Sequence, residues 1–168
     1  MFKVKYGITG VGTREPLKAV SLLKRYGYDG LEWGLSIREY LSNRNIATNL
    51  REEASEVRSI FQKEGLEVIS LTPGLLLTDI KYSGLYELAY ELAERLGTDK
   101  FRLFPAPYVR YHNPPSEDHA KYNGKRTYQD LYKETVDCLG RITEVGRNSV
   151  IKVVLETLSR YPEIRKGG

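Results

Sequence analysis

Two carboxylates stand in places where acids are rare. Glu32 in GYDGLEWG and Glu156 in IKVVLET are the only acids embedded in the apolar part of a strand-like run near its carboxyl end. A carboxylate in such a place is costly to desolvate unless it meets a metal, an arginine or a substrate hydroxyl. Arg102 in KFRLF is another charge inside a strand-like run, and it offers one such partner. For Glu32 an ion pair with Arg102 and a place in a functional site both stay open. Glu156, followed by Thr157, favours the site.

A second constellation points to different chemistry. Gly7, Gly10 and Gly12 follow the first strand-like run, and Glu32 lies twenty residues beyond Gly12, near where a dinucleotide-binding fold keeps its ribose-binding acid. The spacing, however, is G-x-x-G-x-G, and Glu15 opens the next helix where a pyrophosphate needs a neutral, amide-rich approach. His112 and His119 fall in a loop, HNPPSEDHAKYNGK, that reads as a lid or a flexible connection. With two histidines in the chain and neither at a strand end, the residues argue against a multinuclear zinc site. Cys138, on a helical stretch with no histidine near it, reads as a packing residue and not a nucleophile. Tyr108, Tyr111 and Tyr122 share the loop and are candidates for sugar contact, whereas Tyr26, Tyr90 and Tyr132 sit on helices and read as packing residues with surface hydroxyls.

These residues need a scaffold, and the hydrophobic periodicity supplies one. Helical stripes run over Pro16 to Tyr26 (Leu17, Val20, Leu23), Leu50 to Glu64 (Leu50, Ala54, Val57, Phe61), Leu85 to Leu96 (Leu85, Leu88, Ala89, Leu92, Leu96) and Tyr128 to Val145 (Leu131, Thr135, Leu139, Ile142). Gly27, Gly65, Gly97 and Gly146 follow them at positions suited to a left-handed helix stop. A strand-like run succeeds each glycine, and FKVKYGITG adds another at the start. Such alternation gives an α/β fold with a parallel sheet and right-handed crossovers. Two architectures share it, an open doubly wound sheet and a (β/α)8 barrel. Functional residues belong at the carboxyl ends of the strands in both.

The chain has 168 residues, enough for one domain that buries about 70% of the surface its unfolded form exposes. A barrel needs about 250 residues, so length alone favours the open sheet. Hydrophobic residues make up 40% and charged residues 29%, which sets the chain apart from disordered sequences. The 26 basic and 22 acidic residues are interleaved, so the net charge of +4 gives no support for nucleic-acid binding. No apolar stretch reaches the roughly 18 residues of a membrane span, and Lys3 and Lys5 interrupt the start too early for a signal peptide. A single cysteine forms no internal disulfide and points to a cytoplasmic protein.

Four stretches, LKAVSLLKRYGYDGLEWG, EVRSIFQKEGLEVISLTPG, LAERLGTDKFRLFP and VIKVVLET, resemble in that order the sugar phosphate isomerase/epimerase family. These are xylose isomerase-like TIM barrels. The resemblance covers nearly all of residues 4 to 157 and implies one incomplete barrel domain over 1–168, holding the first five strands. It implies a small carbohydrate or sugar phosphate as substrate and a divalent ion, manganese, magnesium, cobalt or zinc, as cofactor. Family members hold the metal with a glutamate ending the fifth strand, an aspartate after the sixth, a histidine on the seventh and a glutamate on the eighth. Glu156 matches the first of these and has no companions in the sequence. By resemblance Glu156 is also the proton-transfer group, Glu32 a substrate contact and Trp33 a pocket wall; Arg102 and Tyr108 are candidates for substrate binding from their own positions. A partial barrel leaves strand edges open, so self-association is expected, most simply as a two-fold dimer.

Overall fold

The computed structural model describes residues 5–9, 15–82, 84–104 and 128–156. Strands and helices alternate as β1 (Gly7–Thr9), α1 (Pro16–Tyr26), β2 (Gly30–Gly34), α2 (Ile46–Lys63), β3 (Glu67–Thr72), α3 (Leu85–Leu96), β4 (Lys100–Leu103), α4 (Tyr128–Val145) and β5 (Lys152–Leu155). Single 3-10 turns over Ile37–Leu41 and Leu77–Lys81 interrupt the connections after β2 and β3. All strand pairs are parallel, in the spatial order β1-β2-β3-β4-β5.

That order decides between the two architectures. A doubly wound sheet reverses its strand order at the crevice where a nucleotide binds. Here every strand pairs with its sequence neighbour, as in a barrel. The dinucleotide alternative therefore lacks its crevice, and Gly10 and Gly12 lie outside the described residues.

The helices cover one face of the sheet. Leu31 and Trp33 of β2, Val68 and Leu71 of β3, and Phe101 and Leu103 of β4 are buried together with Ala54, Val57 and Phe61 of α2 and Leu85, Leu88 and Leu92 of α3. Phe61 meets Trp33 edge to face at 5.9 Å, and Tyr90 of α3 meets Phe101 likewise at 5.0 Å. Burying each of the large side chains contributes about 1.5–3 kcal/mol, which makes this layer the main source of stability.

Several local expectations need correction. α2 begins a turn ahead of Leu50, where the Asn43 side-chain carbonyl accepts the Asn45 amide at 3.1 Å and turns the chain into the helix. Leu17 is exposed although it lies on the apolar stripe of α1, a helix that flanks the outermost strand of the described sheet and packs against α2. Gly27, Gly65 and Gly97 adopt the left-handed conformation, but Gly146 does not. Gly146 is needed for space instead, since the Tyr90 hydroxyl sits where its Cβ would be. That hydroxyl donates internally to the Ile142 carbonyl at 3.2 Å, so Tyr90 packs without a surface hydroxyl, and burial pushes its ionisation upward. Tyr26 and Tyr132 are exposed. Cys138 is buried as a packing residue, and desolvation raises its thiol above the ordinary range.

β3 carries one irregularity. Leu31 pairs with Val68, yet Glu32 pairs with Ser70, so Ile69 is an extra residue in the strand. Its side chain fills the space over Gly7 and Gly30, where no larger residue would fit.

Candidate functional site

Side chains alternate across a strand, so the face opposite the helices is set by the buried residues. Leu31 and Trp33 point to the helices, which leaves Glu32 between them on the open face. Phe101 and Leu103 do the same for Arg102. Glu156 follows β5 directly, and its amide donates to the Leu103 carbonyl at 3.0 Å, fixing it beside the end of β4. Thr72 closes β3.

These four residues meet. Arg102 Nε donates to Glu32 Oε1 at 2.6 Å, while Nη1 forms an ion pair with Glu156 Oε2. Thr72 Oγ1 donates to Glu32 Oε1 and lies 3.5 Å from Arg102 Nη2. The guanidinium carbon stands 5.0 Å from the centre of the Phe104 ring, a cation–π distance. One guanidinium thus serves two carboxylates from strands on either side of it. The side chains are 17% exposed for Arg102, 11% for Glu32 and 33% for Glu156, so water screens these charges far less than a surface pair. Glu156 Oε2 is itself buried without a regular hydrogen bond among the described residues, and the Arg102 charge is its counterion.

The open question about Glu32 is answered on one side, since Arg102 is its ion-pair partner. Trp33 stands elsewhere. It is 2% exposed, packs on Phe61 and donates its Nε1 proton to Glu53 Oε1 of α2 at 3.2 Å, so it belongs to the helix-covered core and not to the open face. Neighbouring residues of one strand face opposite ways, and Glu32 on the open face requires Trp33 on the other. Tyr108, Thr157, His112 and His119 lie outside the described residues. Thr72 and Phe104 are members of the cluster that the sequence did not single out. Their only signal is position, one ending β3 and one directly following β4.

The open face extends toward the amino ends of the strands as a cavity of about 680 Å³, lined by Glu32, Ile69, Ser70, Thr98, Lys100 and Lys5 among others. The implied divalent ion does not fit the described residues. They contain no group of three or more His, Cys, Asp or Glu side chains able to hold a metal, and both carboxylates of the cluster already face a cation.

Neither a protein-family model nor a curated protein matches the sequence. Solved structures do. The chain is similar to the 3-keto-D-glucoside 4-epimerase of E. coli with a TM-score of 0.67 and 19% identity, over 95% of this chain and 58% of that one. It is similar to a xylose isomerase domain protein from Alicyclobacillus acidocaldarius at TM-score 0.57 and 16% identity, over 94% of this chain and 51% of the other. This chain has the α/β fold of about half of such a barrel. The same fold relates it to the IolI protein, solved with a bound zinc atom, at TM-score 0.54 and 18% identity, over 90% of this chain and 51% of that. The chain therefore spans little more than half the length of these proteins. Within a xylose isomerase-like barrel, the strand ends bearing Glu32, Thr72, Arg102 and Glu156 form the face on which TIM barrels build active sites. Among the described residues no helix is long and apolar enough to cross a membrane.

Proposed function

We propose that the chain contributes part of the mouth of a carbohydrate isomerase or epimerase, taking a small sugar or sugar phosphate and moving a proton at the carbon beside its carbonyl. The observation that carries this reading is the convergence of Glu32, Arg102 and Glu156 at the carboxyl ends of β2, β4 and β5, in a fold whose similar proteins include a sugar epimerase. Glu156, the more exposed carboxylate, is the acid/base. It takes the α-proton and returns it to the neighbouring carbon in isomerisation, or to the same carbon in epimerisation. Arg102 stabilises the oxyanion formed as the proton leaves, while Glu32 and Thr72 hold substrate hydroxyls. No step is routed through a metal, because the described donor set does not fit one. Tyr108 stays a proposed sugar contact.

The test is solvent exchange. Incubated in D2O with D-fructose or D-fructose 6-phosphate, the wild-type chain is expected to exchange the proton beside the carbonyl, read by NMR, and Glu156→Gln to abolish the exchange. Equal exchange by wild type and variant would remove Glu156 from the role. A second reading rests on the saturation of both carboxylates by Arg102, which is how a purely structural ion-pair cluster is arranged. On that reading the chain is a non-catalytic scaffold or binding module, and no ketose shows exchange above buffer.

Self-association belongs to the same proposal. Among the described residues β1 pairs only with β2 and β5 only with β4, and Val150 and Val154 near the β5 edge are exposed. Static light scattering is expected to give a dimer at micromolar concentration, and a well-folded monomer would sink this part.

A further inference from the structure

We infer that Arg102 is the built-in cation of this site, held between the carboxylates of Glu32 and Glu156 where a divalent metal would otherwise sit. The inference depends on the reading above only for the location of the mouth.

Geometry makes the case. A divalent ion at the strand ends needs carboxylate oxygens as its strongest ligands. The two carboxylates that project there are engaged by different nitrogens of one guanidinium, Nε toward Glu32 and Nη1 toward Glu156. Thr72 adds a hydroxyl that already donates to Glu32, and no third His, Cys, Asp or Glu joins them among the described residues. The guanidinium is also held by position. It stems from β4 between Phe101 and Leu103, which are fully buried, and it lies beside the Phe104 ring. A lysine in its place could lose its proton and its charge to make way for a metal, but an arginine stays charged at every ordinary pH. A metal approaching Glu156 therefore meets a carboxylate already engaged by a guanidinium, and with it that group's fixed positive charge. Arginine also fits the fork that two separate carboxylates require, which a point charge does not.

Metal binding without any sugar tests this. Wild type, Arg102→Met, Arg102→Lys, Glu156→Gln and the double variant Arg102→Met with Glu156→Gln are titrated with Mn²⁺ by calorimetry and with Co²⁺ by visible absorption, after circular dichroism has established folding. Wild type is expected to show no saturable binding at micromolar ion. Arg102→Met is expected to bind at least about tenfold more tightly than wild type, a gap of ~1.4 kcal/mol, and to lose the gain when Glu156 is also changed. Arg102→Lys is expected to fall between, and it carries the test if the methionine variant does not fold. Saturable micromolar binding by wild type that disappears in Glu156→Gln overturns the inference. So does a folded Arg102→Met or Arg102→Lys protein with no gain. Failure of ketose exchange alongside the expected metal pattern would count against the proposed activity and leave this inference standing.

Discussion

The two ends of the sheet both carry paired charges, and they use them differently. At the carboxyl ends one guanidinium serves Glu32 and Glu156 while largely withdrawn from water. At the amino ends Lys5 pairs with Glu67 at 2.6 Å, and Asp99 is shared by Lys100 at 3.0 Å and Lys152 at 3.1 Å, with most of these side chains half exposed or more. Flexible lysines in water gain little from such contacts, since entropy and screening consume most of the Coulomb attraction. A forked arginine between two shielded carboxylates is instead a fixed piece of architecture. Chemistry is expected at the end where charge is organised, and solubility at the end where it is merely balanced.

The sharpest way to break this contrast is Arg102→Met. Removing the shared cation leaves two carboxylates facing each other, and after allowance for partial exposure the expected loss is about 2–3 kcal/mol by urea denaturation. A loss below about 0.5 kcal/mol would mean that the cluster relaxes into water. Glu91 of α3 tests the inverse stoichiometry, one carboxylate between Arg51 at 2.7 Å and Arg95 at 2.8 Å. The hydrogen bonds from Arg51, and then Arg95, outweigh desolvation and lower its pKa from 4.5 to about 2. Its stabilisation is therefore fully present above pH 4.5 and disappears as pH falls toward about 2. Glu91→Gln is expected to cost roughly 0.5–1 kcal/mol at neutral pH, for an exposed network of this kind, and nothing at the acid limit. Lys152→Met at the amino end is the smallest case, expected below about 0.5 kcal/mol and erased by molar salt. A larger effect there would collapse the distinction between the two ends.

The helices and their stops were legible because burial repeats every three or four residues and glycine marks the ends. Glu32, Arg102 and Glu156 were legible for a related reason, as charges inside apolar runs advertise a compensating partner. What escaped depends on three-dimensional register. That one arginine would reach a carboxylate two strands away on β2 and another just past the adjacent β5 follows from the parallel register of β2 through β5, which no single segment reveals. Trp33, which the resemblance made a pocket wall, is turned toward the helices, since strand alternation sets it opposite the face that carries Glu32. The glycine at 146 looked like its fellows but answers to Tyr90 in another helix.

The extra residue in β3 has a consequence for how such a mouth could change over generations. Because Ile69 adds a step, Leu71 follows Trp33 into the core and Thr72 arrives beside Glu32. A bulge-free register that kept Ile69 would set Leu71 opposite Gly34 and exchange the two sides, carrying leucine to the mouth and the hydroxyl into the core. The character of this surface is thus governed by strand register as well as by residue identity, and gaining or losing one bulge residue resets it without any substitution at the mouth.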